Sequence, residues 1–173
     1  TRLLLVGEEH TSVGFHRVQL RVIQALIKAG RRVLIGLEMY PYTEQQSLDQ
    51  WREGLLTEEG FLRISRWYHH WGYNWLYYRD ILVLARDHHL PLVAVNTPRE
   101  VVSAVRKKGL ANLTAEEAAH IPKEIDVDNP DHLLFFKTTL EGAESAMGTS
   151  GMSDAMWRNM LSAQCTWDAP MGF

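Results

Sequence analysis

The sequence predicts an α/β fold, parallel strands with helices on both faces of the sheet. Three short apolar runs carry that expectation, at residues 3–6, 33–37 and 92–95, and each leads into polar residues: Gly7-Glu8-Glu9-His10, Glu38, and Asn96-Thr97-Pro98-Arg99. Helical patterns separate them, and strand, helix, strand within about forty residues has the length of a right-handed parallel βαβ unit. In an open α/β sheet the ligand sits outside the carboxyl ends of the strands. Those three ends would gather His10, Glu38, Asn96 and Arg99 at one edge, which makes them candidate site residues.

After His10, Ser12 is placed to cap a helix that runs to about Ala29, with Val18, Val22, Ala25, Leu26 and Ala29 as its apolar face and Gly30 as its stop. His16 on this helix fits no pattern and is read as a surface or capping residue. Two short helices, about 43–53 and 57–65, are separated by Gly54 and form a helical excursion before the third strand. A helix over 78–88 carries Ile81, Leu82, Leu84 and Ala85, and Pro91 opens the third strand. Pro98 starts a helix to about Lys108. Thr114 with Glu117 is a capping box, residues 122–130 form a loop, and two helices follow over about 131–147 and 153–167 with a Gly148-Thr149-Ser150-Gly151 loop between them. No fourth strand is apparent, so the sheet is expected to be incomplete within this single domain of residues 1–173, with further chain at its C-terminus.

Composition narrows function little. The 173 residues are 46% hydrophobic and 23% charged, ordinary for a globular chain. A formal charge of -3 gives no general basic field, which argues against nucleic acid as partner. The single cysteine, Cys165, can form no intrachain disulfide and reads as a small buried hydrophobe. No apolar run approaches the roughly 18 residues of a membrane-spanning helix. The chain opens at Thr1 without an initiator Met or a signal segment, as a mature or excised piece would.

Residues 67–78 are the second informative feature. Trp67, Tyr68, Trp71, Tyr73, Trp75, Tyr77 and Tyr78 stand there with His69 and His70. Trp67, Trp71 and Trp75, four apart, read as one packed face of a helix. The same residues would also form a wall for a large flat ligand such as a porphyrin.

Gly7-Glu8-Glu9-His10, Leu37-Glu38-Met39, Trp71 through Trp75 to Tyr78-Arg79-Asp80-Ile81-Leu82, and Ala94-Val95-Asn96-Thr97-Pro98-Arg99 together resemble the successive signatures of ChaN-like haem-binding lipoproteins. Gln164, Trp167-Asp168 and Met171 are similar to that family's later pattern. The resemblance implies a bacterial cell-envelope protein of iron acquisition, joined to the membrane only through a lipid anchor outside this chain. It also implies haem at a homodimer interface, with a tyrosine on the iron and a histidine assisting from the partner. Tyr78 matches the recurring tyrosine, His10 the first histidine, Glu38 the strand-end glutamate and Arg99 the arginine. Tyr77, Tyr73, His69 and His70 remain open as alternatives, and Trp71, Trp75 and Asn96 complete the expected cofactor-binding set. The related Gly-x-x-His motif that completes a metal site in the Tiki branch is absent after residue 95.

Two function classes follow. In the first, ferric haem is held by Tyr78 and His10, phenolate being a hard donor suited to ferric iron. In the second, a divalent metal such as zinc is bound by His10, and Glu38 or Glu9, with Arg99, serves a hydrolase. Each candidate has a plain structural rival: His10 as a hydrogen-bonded framework residue, Glu38 and Arg99 as an ion pair, Asn96 as a helix cap, and Glu8 as a satisfied neighbour of the site.

Overall fold

A computed structural model describes residues 2–141 and 153–172. The chain forms two compact units, Thr1–Val95 and Asn96–Phe173. The α/β expectation holds with a smaller sheet than anticipated. Two parallel strands pair, β1 (Ile35–Pro41) and β2 (Leu92–Asn96).

In the first unit α1 (Val13–Lys28) leads to β1, followed by α2 (Gln45–Arg52), α3 (Glu58–Ile64), α4 (Trp67–His70), α5 (Arg79–Asp87) and then β2. Gln45 covers the edge of β2 that faces away from β1. Its Nε2 donates to the Leu92 carbonyl at 2.8 Å, and its Oε1 accepts from the Ala94 N–H at 2.9 Å. A side chain thereby takes two backbone groups that would otherwise invite another strand. The core between strands and helices is aromatic: Tyr40, Trp51, Phe61, Trp67, Trp75 and Tyr78 are buried with Leu37, Leu48, Leu82 and Leu92.

Residues 3–6 depart from expectation. They form no strand, and their side chains are exposed, Leu5 at 80%. An apolar run becomes a strand only where a neighbour takes its backbone groups. Here Gln45 takes the outer edge of β2, and among the described residues no strand pairs with this run. The second strand also begins later and runs further than its predicted 33–37, because Leu37, Tyr40 and Pro41 are the side chains that bury. Glu38 consequently lies mid-strand, not at a strand end. The buried residue of α1 is His16, while Val18 and Ala25 of its predicted apolar face are exposed.

The predicted helix through Trp67, Trp71 and Trp75 is broken. The α4 helix ends at His70, Gly72 adopts a positive φ of 74°, and a 3-10 turn covers Trp75–Tyr77. All three tryptophans are nevertheless buried.

In the second unit α6 (Arg99–Lys108), α7 (Ala115–Ala118), α8 (Pro130–Glu141) and α9 (Asp154–Asp168) follow β2, and α9 packs along α6. The Thr114 capping box is formed as predicted, with Oγ1 accepting from Glu117 N–H at 3.2 Å and Glu117 Oε2 accepting from Thr114 N–H at 2.7 Å. Ser153 caps α9. Cys165 is buried, and its Sγ stands 3.7 Å from His132 Nδ1. The predicted 148–151 loop lies outside the described residues.

Candidate functional site

The carboxylate of Glu8 is the centre of the best-connected polar cluster in the first unit. It sits on the coil before α1 with 9% of its side chain exposed. One oxygen, Oε1, accepts from the Tyr78 hydroxyl at 2.5 Å and from His10 Nδ1 at 2.9 Å. The other, Oε2, accepts from Gln19 Nε2 at 2.8 Å and lies 3.2 Å from His16 Nδ1. His16 and Gln19, three apart on α1, share a face, which is how one helix supplies both. His16 Nε2 donates in turn to the His10 carbonyl at 3.0 Å, tying the coil to the helix.

Charge follows from these contacts. Burial would raise the Glu8 carboxyl, but the bonds from Tyr78, His10 and Gln19 together with His16 outweigh it and hold Glu8 below the ordinary carboxylate range. Burial, then the bond to Glu8, pushes the Tyr78 phenol well above its usual value. The proton therefore rests on Tyr78 and the negative charge on Glu8.

Because a carboxylate only accepts, His10 Nδ1 carries the hydrogen in that bond, and Nε2 is left as the basic nitrogen. His10 is 32% exposed. Its ring lies 4.7 Å from both Trp71, edge-on, and Tyr73. The imidazole is thus held by Glu8 between two aromatic rings. Tyr78 is fully buried against Trp67 and His16, and Tyr73 and Tyr77 are half-buried.

The structure brings His10, Trp71, Tyr73 and Tyr78 together, joined by Glu8. Glu38 lies mid-strand in β1, half-buried. Trp75 lies one layer deeper, with its Nε1 donating to Glu58 Oε1 at 2.7 Å. Tyr77 stacks on His16 with centroids 5.6 Å apart. Glu9 is exposed. His70 is buried away from this cluster, bonded through Nε2 to Glu44 at 3.2 Å, and burial lowers its pKa. Asn96 and Arg99 fall in the second unit: Asn96 is buried at the end of β2, where its Oδ1 accepts from Thr97 N–H at 2.7 Å, and Arg99 opens α6 on the exposed surface. Glu8 is the satisfied neighbour expected of it and also joins the cluster, whereas His16, expected as a surface or capping residue, is buried. The spacing of His16 and Gln19 behind the Glu8-Glu9-His10 turn was the available signal.

Among the described residues no group of three or more His, Cys, Asp or Glu side chains could hold a metal ion. A planar ligand that brings its own metal needs fewer donors. His10 Nε2 and the Trp71 indole N–H, which is buried beside the Tyr78 phenol without an acceptor in hydrogen-bond geometry, are groups such a ligand could use.

Comparison with known proteins agrees. A family model described as haem-binding uptake, Tiki superfamily, ChaN matches residues 1–173. A solved structure titled as cofacial haem binding to ChaN of Campylobacter jejuni shares the fold, with a TM-score of 0.68 at 16% identity over 95% of this chain and 62% of that one. RETICULATA-RELATED 5, a chloroplastic protein of Arabidopsis thaliana, is 27% identical over 92 residues, 53% of this chain and 12% of that protein. The chain thus spans less than two thirds of either relative.

Proposed function

The chain belongs to the haem-binding uptake family of the Tiki superfamily that contains ChaN, and from that membership we propose that it takes ferric haem at the cluster of His10, Trp71, Tyr73 and Tyr78. The state of His10 carries the reading. A carboxylate that fixes Nδ1–H and leaves Nε2 as the free donor is the arrangement by which metal-ligating histidines are oriented. Haem, when bound, would supply an iron that takes nitrogen or oxygen donors. His10 would provide the nitrogen. Tyr78, held on the same Glu8 oxygen, would provide the phenol oxygen, its proton passing to Glu8 as the phenolate forms. Tyr73 and Trp71 flank the His10 ring, and Trp75 packs against Trp67, which in turn meets Tyr78. The fuller version of this reading, a homodimer sharing haem in the bacterial cell envelope, rests on the family. No second reading is favoured, because the metal-hydrolase alternative requires a group of three metal ligands, and none stands among the described residues.

The test is a titration of the protein with haemin, followed by absorption. The parent protein should bind with a spectrum distinct from free haemin. His10→Ala should weaken binding by roughly 10- to 100-fold, and Tyr78→Phe should remove the phenolate-to-iron charge-transfer band while leaving the fold intact. Failure of the parent protein to bind, or unchanged spectra in both variants, would overturn the assignment.

A further inference from the structure

Four tryptophans of the first unit are buried, and three have their indole N–H satisfied. Trp51 donates to the Leu82 carbonyl at 2.8 Å, Trp67 to the Tyr73 carbonyl at 2.8 Å and Trp75 to Glu58 Oε1 at 2.7 Å. Trp71 is the exception. It is 8% exposed, and its Nε1 has no hydrogen-bond partner. A buried donor without an acceptor is disfavoured in any fold, so natural structures keep such groups rare and chiefly for a purpose. This one is also placed at the candidate site, with the His10 ring edge-on at 4.7 Å and the Tyr73 ring at 5.5 Å. Indole nitrogen only donates, so what it lacks is an oxygen acceptor. The carboxylate of this cluster, Glu8, has both oxygens already engaged by Tyr78, His10, Gln19 and His16.

We propose that the Trp71 N–H is a recognition group for a carboxylate of the ligand bound at His10, so that the site selects a porphyrin bearing free acid side chains over the same porphyrin without them. The inference rests on haem as that ligand. A carboxylate supplies the missing acceptor and makes a charge-assisted bond, stronger than a neutral one. It is also the group by which a porphyrin's polar edge differs from its apolar one, so the donor would fix which way the ring enters. Two neighbouring oxygens offer rival explanations, the ligand carboxylate and the Tyr78 hydroxyl, and esterifying the ligand separates them.

The experiment compares haemin with haemin dimethyl ester, titrated into the parent protein, into Trp71→Phe, and into protein carrying 3-benzothienylalanine at position 71, which keeps the bicyclic shape and lacks the N–H. The parent protein should bind the free acid about tenfold more tightly than the ester, the size of one charge-assisted bond. Both variants should bind the two forms alike. Preference retained in both variants, or no preference in the parent, overturns the proposal while leaving haem binding intact. Equal weakening of acid and ester in the variants assigns the N–H to Tyr78 and overturns it as well. If the parent protein binds neither form, the haem reading and this inference fall together.

A ligand-free measurement checks the premise on its own. Benzothienylalanine at position 71 should leave the melting temperature unchanged or higher, because no bond is lost, whereas the same exchange at Trp67 should lower it. An equal drop at both positions would mean that Trp71 already has an acceptor, and the proposal would fail.

Discussion

Glu8 gathers partners from three parts of the chain: donors from His10 beside it, Gln19 on α1 and Tyr78 seventy residues away, and the adjacent His16 ring on α1. Its removal strands them at once. Glu8→Ala should destabilise the protein by about 3 kcal/mol, the range for leaving buried donors of a charged bond unpaired, while Glu8→Gln, which keeps one acceptor oxygen, should cost less. Urea unfolding of the two variants checks both the size and the order; equal midpoints for Glu8→Ala and the parent would deny Glu8 its central place. Acid should act on the same group. The folded Glu8 pKa is lowered, so its contribution is full above the unfolded value of 4.5 and is lost as pH falls below it. The folded pKa of His70 is lowered by burial too, so stability begins to fall earlier, as pH drops through the unfolded value of 6.5 and the unfolded chain takes up a proton that the folded one resists. Unfolding free energy against pH should decline in two stages, and His70→Gln should flatten the upper one. The sequence singles out His10 and Tyr78 because each closes a recognisable motif, and it places Glu8 as a satisfied neighbour. That one Glu8 oxygen joins the two is not legible, because it depends on which donors reach the carboxylate, and Tyr78 lies far off in sequence.

At the scale of elements, local chemistry was the readable part. The Thr114 box, the Ser153 cap and the Pro98 start of α6 are decided by residues within one turn, and they stand where the sequence puts them. Thr114→Ala should cost about 1 kcal/mol, the usual value of an N-cap, seen as a lower urea midpoint; no change would mean that α7 is held by packing alone. The four-residue spacing of Trp67, Trp71 and Trp75 suits one helical face, but Gly72 interrupts it. Its φ of 74° turns the chain between Trp71 and Trp75 and lets both reach buried positions from different short elements. A Cβ at Gly72 would meet nothing within 4 Å, so Gly72→Ala isolates the backbone cost. That cost should be about 1–2 kcal/mol, measured by the same unfolding. An unaffected midpoint would show that the turn does not depend on the left-handed conformation.

For the whole molecule, the unanswered surface is the start of the chain. Leu3, Leu4, Leu5 and Val6 are exposed ahead of the Glu8 site, and Val13, Phe15 and Val18 are exposed on the first turns of α1 just after it. Exposed apolar residues concentrated on both sides in sequence of one candidate site are the composition expected of an association surface, not of a face meant for water. His10, one-third exposed, offers a single imidazole from each chain. If haem is taken between two copies, each chain need supply only part of the coordination, and the apolar residues around His10 gain a partner when the ligand arrives. Sedimentation with and without haemin should therefore show the monomer mass of 19.9 kDa roughly doubling as haemin reaches one equivalent per chain, and Phe15→Glu should oppose that doubling by placing a charge where an apolar contact is needed. A haem-bound protein that sediments as a monomer throughout would leave the iron ligands in place and remove the dimer.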